Sequence, residues 1–597
     1  MRLFSAQELR RFGRGGENLR MGAEGASMGS LQGLGGLSAS ASGASMSTPT
    51  SASASPSSSS SITNTQVAGI DEGDIVKALG EHFIVLRRGV LFSVSAAESG
   101  LTVQDQAHVQ LPDQGEGWID ELLVHHRTRT LIVTGFVSGP DGRDYTLYHL
   151  FTLETDGQIV RGDALFFPSM DYFGEEDYAT RMVGDNLVTY SVHEFQTEYA
   201  LLPDDLEGLE PDEVAQMRRQ GRFDYALPQV RRGPSGRFER TWSPRRTFRE
   251  QGREATTLHA ITSCHMGRAP VRCRTRSVLA DGDARLFVSH SAAYLWMNEM
   301  SYVPEGQGEE PSEEGNASPL YRFPHRRSNV QSVAVAGETL GALSFRESGG
   351  SLRALVFVPD AGATDAESEE ESEVELALLT IPLRTFGQPL HWRDYRPLPG
   401  AHPGSVRFVG DAHVLYGDGR TFVHNIDTAE TCVFDEVAPE RIDPLGPGAA
   451  LVSWNERDSL NYAIIDVRNM SRAREMRALQ GATSSETRTH GFFYQPDAQG
   501  GSFGMPVVAS TFASVAYFDV RDHHTTLVGS LSADALDSEE ECENSCTDWY
   551  GNARPIFWRE RVFALLGSEL VEGARVDGRI TERARVRLVP GPRSTAD

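Results

Sequence analysis

Lysine is almost missing from this chain of 597 residues: among 56 basic side chains only Lys77 is a lysine, and the rest are arginine. A phosphate-loop lysine is thereby excluded, since Lys77 precedes Ala78 and follows no glycine loop. A Schiff base would have to form on Lys77 or not at all. Positive charge is also scarce, with a formal net charge of −27. Nucleic acid and anionic membranes both require clustered basic charge, so neither is expected as a partner. No apolar run approaches the ~20 residues of a membrane-spanning helix. The N-terminal MRLFSAQELRRFGRGGENLR lacks an apolar core and is not a signal peptide as it stands. Cysteine is sparse, at five, and never spaced as the CxxC pairs of a sulfur zinc site. Cys264 and Cys273 stand nine apart, Cys542 and Cys546 four apart, and Cys432 alone. The sharper reading is two local disulfides, with Cα separations of roughly 4.4–6.8 Å, and an unpaired Cys432. Reduced thiols are the plain alternative.

Hydrophobic residues make up 39% of the chain, enough for a packed core. Residues 1–20 suggest a short helix through LFSAQELRRF, which spaces its apolar residues by three and four. Residues 21–63 are rich in Gly, Ser and Ala and read as a disordered tether, because they bury too little surface to offset their ordering entropy. GASMG, at 25–29, matches a nucleophile elbow in letters only, having no strand before it or helix after it.

From residue 64 the texture becomes short β-branched and aromatic runs separated by tight turns. EHFIVLRRGVLFSVS, RTRTLIVTGFVSG, VGDNLVTYSVHEF, DGDARLFVSHSAAYLW, VGDAHVLYGDGRTFVHNID and RERVFALLGSELVEG share this grammar, and NYAIIDVRN and VAYFDVRDH repeat it more literally. Such units at intervals of roughly 45–60 residues predict an all-β propeller of seven or eight blades over 64–590. Insertions are expected at about 196–256, 303–317 and 361–375, with a C-terminal tail at 591–597. Within the first, PDEVAQMRRQG has the Pro start and Gly stop of a small helix. RFERTWSPRRTFREQGRE is a basic, aromatic-bearing patch suited to grip an acidic partner, although its ordinary reading is a solvated loop.

The stretch TNTQVAGIDEGDIVKALGEHFIVL closely resembles the lead-in motif of a family of bacterial secreted proteins with a C-terminal β-propeller domain. Asn64, Gln66, Val67, Gly69, Asp71, Glu72, Asp74, Ile75, Val76 and Lys77 stand at the motif positions. SVRFVGD, the DPL of 443–445, NYAIIDVRN and THGFFYQP around His490 are similar too. LVSWNERDS departs from the family by lacking a histidine, which leaves any site built on one without support. The resemblance implies a propeller fold and extracytoplasmic location but no reaction. It also implies that Met1 is a late start and that a signal peptide precedes it.

Asp71, Glu72 and Asp74 are the candidate metal ligands, with Ca²⁺ the ion that carboxylates suit. No D-x-D-x-D-G loop is present, and salt-bridged structural carboxylates at the mouth of the first blade fit the pattern better. His125–His126 and His523–His524 are adjacent, so strand geometry points each pair to opposite faces. His490, with Glu486 and Asp497 near in sequence, is an acid–base group lacking a nucleophile. DWYGNARP, at 548–555, reads as a structural turn or a binding rim. No catalytic or cofactor-binding residue is assigned. The function expected is binding or scaffolding of a protein or cell-envelope component. The alternative is a hydrolase or lyase with its site in the central channel, which a cluster of strongly perturbed titratable groups there would favour.

Overall fold

A computed structural model describes residues 2–3, 62, 64–111, 117–138, 144–169, 179–194, 227–249, 255, 257–298, 317–326, 329–359, 374–400, 403–470, 476–484, 489–509, 512–534 and 553–591. The expected helix at 211–221, nearly all of the tether, Glu486, Cys542 and Cys546 lie outside them. Within them the chain is strand after strand, joined by short turns and single turns of 3-10 helix. The turns are of the kind that closes a right-twisted hairpin with two residues at positive φ. Arg88 and Gly89, for example, take φ of 49° and 69° between strands His82–Arg87 and Val90–Ala97.

The described residues form nine sheets, each built on four strands that follow one another in chain order. These are blades 1 (76–108), 2 (117–168), 3 (180–194 with 257–279), 4 (283–336), 5 (345–397), 6 (405–434), 7 (441–480), 8 (482–532) and 9 (553–587). The larger apolar cores lie between one blade and the next. Ile84, Leu86 and Leu91 of blade 1 meet Leu122 and Val133 of blade 2, while Val515 and Tyr517 of blade 8 meet Val562 and Ala564 of blade 9. The ring closes because Phe83 and Phe92 of blade 1 pack on Ile556 and Phe563 of blade 9. Both faces of an interior strand are therefore covered, which is why His82–Arg87 is buried along its whole length rather than alternating.

Nine blades exceed the seven or eight expected from repeat spacing. The uncounted blade is the fifth, whose second and third strands, Ser351–Pro359 and Val374–Pro382, are separated by the acidic stretch at 361–373. That stretch hid the pairing of a hairpin whose strands are otherwise aligned residue for residue.

All three insertions leave the ring after the second strand of a blade, and the blades are the adjacent third, fourth and fifth. Strands alternate direction within a blade, so the three departures share one face of the ring. The basic patch is not a loop. Gln229–Arg232 and Phe238–Arg240 form a hairpin added to the outer edge of blade 2, and Thr247–Arg249 runs parallel to the last strand of blade 3. Arg2–Leu3, expected in a helix, is instead extended and pairs with Phe248 and Arg249. Cys264 and Cys273 face each other across the third and fourth strands of blade 3 and form a disulfide, with Cα atoms 4.0 Å apart. This separation lies slightly under the expected window because the two residues are directly opposed in an antiparallel ladder. Cys432 is a free thiol.

Candidate functional site: a charged hub at the ring axis

The first strand of each blade is the innermost, and the lead-in segment crosses from one such strand to the next. Gln66 donates through its side chain to the Ala342 carbonyl just before blade 5. His290, between the first two strands of blade 4, donates to the Ala68 carbonyl at 2.8 Å. Gly69 turns the chain there at φ 81°, a region closed to most side chains. Asp71–Glu72 then pairs with Arg181 and Met182 on the first strand of blade 3. Asp74 exchanges backbone hydrogen bonds of 3.2 and 2.8 Å with Leu122 on the first strand of blade 2. Val76 opens blade 1. The segment thus fastens blades 5 to 1 along their inner edges. Gly73 belongs to this path, since a Cβ there would lie about 2.5 Å from the carboxylate of Glu121.

Against it stands a ring of basic residues, all seven on the first strand of a blade: Lys77, Arg181, Arg285, Arg346, Arg407, Arg441 and Arg554 for blades 1, 3, 4, 5, 6, 7 and 9. Blade 2 presents Glu121 instead. Blade 8 presents His490, because its inner strand is split into Ala482–Thr483 and Phe493–Asp497 and a 3-10 turn, Thr489–Gly491, sits in the gap. Most of these side chains are buried, Asp74 and Arg554 completely.

The carboxylates answer the ring pairwise. Lys77 donates to Asp71 Oδ1 at 2.6 Å and to the Glu72 carbonyl at 2.6 Å, while Asp71 Oδ2 accepts from the Val124 amide at 2.9 Å. Glu72 accepts from the Gln66 amide at 3.0 Å and lies 3.7 Å from Arg181. Asp74 Oδ1 accepts from Arg554 Nε at 3.0 Å and from the Ile75 amide at 2.7 Å. Asp443 takes a two-pronged grip from Arg441. Burial raises the Asp74 carboxyl, but Arg554, His490, Lys77 and the Ile75 amide together outweigh it and hold the group below the ordinary carboxylate value. Burial pushes the His490 imidazole down to about 3, and the nearby cations act the same way against the single opposing pull of Asp74. His490 is therefore neutral at working pH, and the charges that hold Asp74 are those of Arg554 and Lys77.

The three candidate metal ligands are thus each engaged by a protein cation. Among the described residues no group of three or more His, Cys, Asp or Glu is arranged to hold a metal ion. His490 faces Asp74 rather than Asp497, which pairs with Arg521 at 2.8 Å. His125 ends its strand and bonds Asp185 of blade 3 at 2.9 Å. His523 occupies a turn at φ 64° and lies 3.3 Å from Asp466. Asp466 also caps its own turn through the Arg468 and Asn469 amides, and Asp519 holds Arg575 by two bonds of 2.7 Å. Asp466 closes its strand, Ser459–Asp466, whereas Asp519 lies two residues inside the end of Phe512–Arg521.

Four segments carrying the family resemblance, far apart in sequence, meet at this axis through Asp74, Arg407, Asp443 and His490. The arginines were missed individually, yet a signal was present. TRMV, ARLF, FRES, VRFV and ARPI each place an arginine at the second or third position of a short first strand.

Residues 60–415 match the family model described as a beta propeller domain, which is more than half of the chain. No curated protein sequence matches it. Among solved structures, a eukaryotic initiation factor aligns with 10% identity over 76% of this chain and 97% of its own, at a TM-score of 0.35. The periplasmic gluconolactonase of Pseudomonas aeruginosa aligns with 12% identity over 55% and 92%, at 0.26. Hsv2 of Kluyvelomyces marxianus aligns with 8% identity over 56% and 95%, at 0.28. Likenesses of this size say nothing of function.

Proposed function

The chain belongs to the beta propeller domain family, and we propose that on this scaffold it works by binding, as an extracytoplasmic recognition or scaffold protein for a protein or envelope component. One observation carries the reading: the axis, where a channel enzyme keeps its reacting groups, is crossed by the lead-in segment, whose carboxylates Asp71, Glu72 and Asp74 are each held by a protein cation. A titratable cluster does converge there, as a catalyst would require, but its shifts run the wrong way. A carboxylate kept ionised by an arginine is a poor general acid. An imidazole with a pKa of about 3 is a poor base at neutral pH. Recognition then falls to the loops, and the segments inserted after the second strands of blades 4 and 5, which depart from one face, are the material offered for it. A disulfide in blade 3 agrees with an oxidising compartment. No helix among the described residues is long and apolar enough to cross a membrane. The acidity of the stretches at 305–315 and 365–375 favours a cationic partner or contacts bridged by divalent ions, weakened by salt.

The test is recovery of partners from the cell envelope by the whole protein, with and without calcium. It is then repeated on chains whose 303–315 and 361–372 segments are replaced by short Gly-Ser linkers. Loss of recovered partners on replacement supports the reading. Unchanged recovery removes these loops from it. Hydrolysis of a peptide, ester or glycan that is abolished by His490→Gln without loss of fold would replace binding by catalysis.

A further inference from the structure

One cation of the hub has no mate. Arg407 sits in the middle of the first strand of blade 6, 6% exposed. Among the described residues no atom accepts a hydrogen bond from its guanidinium, and its Nη1 is fully buried without a partner. A buried, unpaired charge is costly, and native proteins seldom leave one without a purpose. The charged groups acting on it are Asp443, Glu72, Arg441 and Arg346. Neither carboxylate accepts a hydrogen bond from it. Asp443 is gripped by Arg441 through two hydrogen bonds, and Glu72 accepts from the Gln66 amide and faces Arg181. Arg346, with its side chain 32% exposed, turns outward to Asp411, whose side chain is 68% exposed.

We propose that this part of the hub, between blades 5 and 7, binds a small oxyanion through Arg407, with Arg346 at its mouth. The geometry favours an anion bearing at least two oxygens, since a guanidinium presents parallel N–H donors that a carboxylate or phosphate matches in pairs. The way in is beside Arg346 and Asp411. Asp411 lies in the turn between the first and second strands of blade 6, hence on the face opposite the three insertions. The site is independent of the loops to which partner binding is assigned, and either assignment can fail alone. An anion seated here would complete the charge pairing of blades 5, 6 and 7 and so stabilise the ring.

The experiment titrates the whole protein with inorganic phosphate, sulfate or malonate by calorimetry, at ionic strength held constant with chloride, and follows the melting temperature in parallel. Saturable one-to-one binding of at least one of the three, with a rise in melting temperature, is expected. Arg407→Gln should weaken that binding tenfold or more and abolish the thermal shift. Arg346→Gln, a partly exposed change that spares the core, should weaken it severalfold. Preference for malonate over phosphate and sulfate assigns the site to carboxylates, and the reverse preference to tetrahedral oxyanions. The proposal is overturned if the unaltered protein binds none of the three saturably. Binding undiminished in Arg346→Gln and in a folded Arg407→Gln overturns it as well, by marking the ion as adventitious.

Discussion

The hub and the rim hairpin at 229–240 both set arginines among buried groups, yet they are built in opposite ways. At the axis Asp74 and Arg554, distant in sequence, pair at 0% side-chain exposure and join the last blade to the first. At the rim, Arg231 is held over three rings of its own sheet, at 5.2 Å from Tyr145, 4.5 Å from Phe166 and 5.1 Å from Phe238. The first arrangement is a closure, on which the geometry of the whole ring depends. The second is an outer addition to a blade already complete without it. The same residue type is indispensable in one place and peripheral in the other, and the difference lies in how many elements each arginine ties together.

The sharpest way to break this comparison is to remove one member of the axial pair. Asp74→Ala leaves Arg554 a buried cation without its carboxylate and should cost about 3–5 kcal/mol in urea unfolding. Asp74→Asn with Arg554→Met removes both charges and should recover most of that loss. If the double change is no better than the single ones, the pair is not what holds the closure.

Next in size is the cystine of blade 3, which lies beside the rim strand at 247–249. Its loop of nine residues predicts a loss of about 2–3 kcal/mol when Cys264 and Cys273 are both replaced by Ser. The hub should be untouched, so the effects of Asp74→Ala and of the double Ser change should add. Non-additivity would show that rim and axis are coupled.

How much of this was legible follows from the same contrast. A repeat leaves a periodic trace, so the all-β ring could be read from recurring turns and runs, and the lead-in motif from its unbroken length. Blade 5 was lost because an acidic stretch separates its middle strands. The hub's arginines were present one on each of blades 3, 4, 5, 6, 7 and 9, but each alone is only a charge on a short strand, and nothing local tells which strand lies innermost. The rim was misread as loop because its strands are short and its pairing partners, such as Phe166 for Arg231, come from another part of the chain.

The hub should also be the more sensitive region to acid. His490 is neutral in the folded ring, with a pKa of about 3, while in the unfolded chain it returns to about 6.5. The unfolded state therefore binds the extra proton, and stability falls as pH drops below about 6.5, levelling off only below about 3. At pH 5 this amounts to about 2 kcal/mol for His490. His193 and His259, both pushed to about 4 chiefly by burial, add losses of the same sign in blade 3. His490→Gln should flatten the dependence of melting temperature on pH between 7 and 5. An unchanged slope would mean that His490 exchanges protons freely and is not sealed in the hub.

The smallest effect is expected at the rim. Arg231→Ala removes a cation from Tyr145, Phe166 and Phe238 and the packing of its stem, but Tyr145 still stacks on Phe238 with ring planes 12° apart. A cation over aromatic rings at a partly exposed site contributes about 1 kcal/mol, and Arg231→Ala should cost about that much in urea unfolding. Arg231→Met, which keeps the stem and loses the charge, should recover part of it. The midpoint should move while the slope with urea does not, because the rim unfolds with blade 2 rather than before it. Amide exchange at Val230 and Arg231 should quicken, with protection at Asp74 and Leu122 unchanged. If exchange at the axis quickens too, the hairpin is no mere addition, and the division between hub and rim fails.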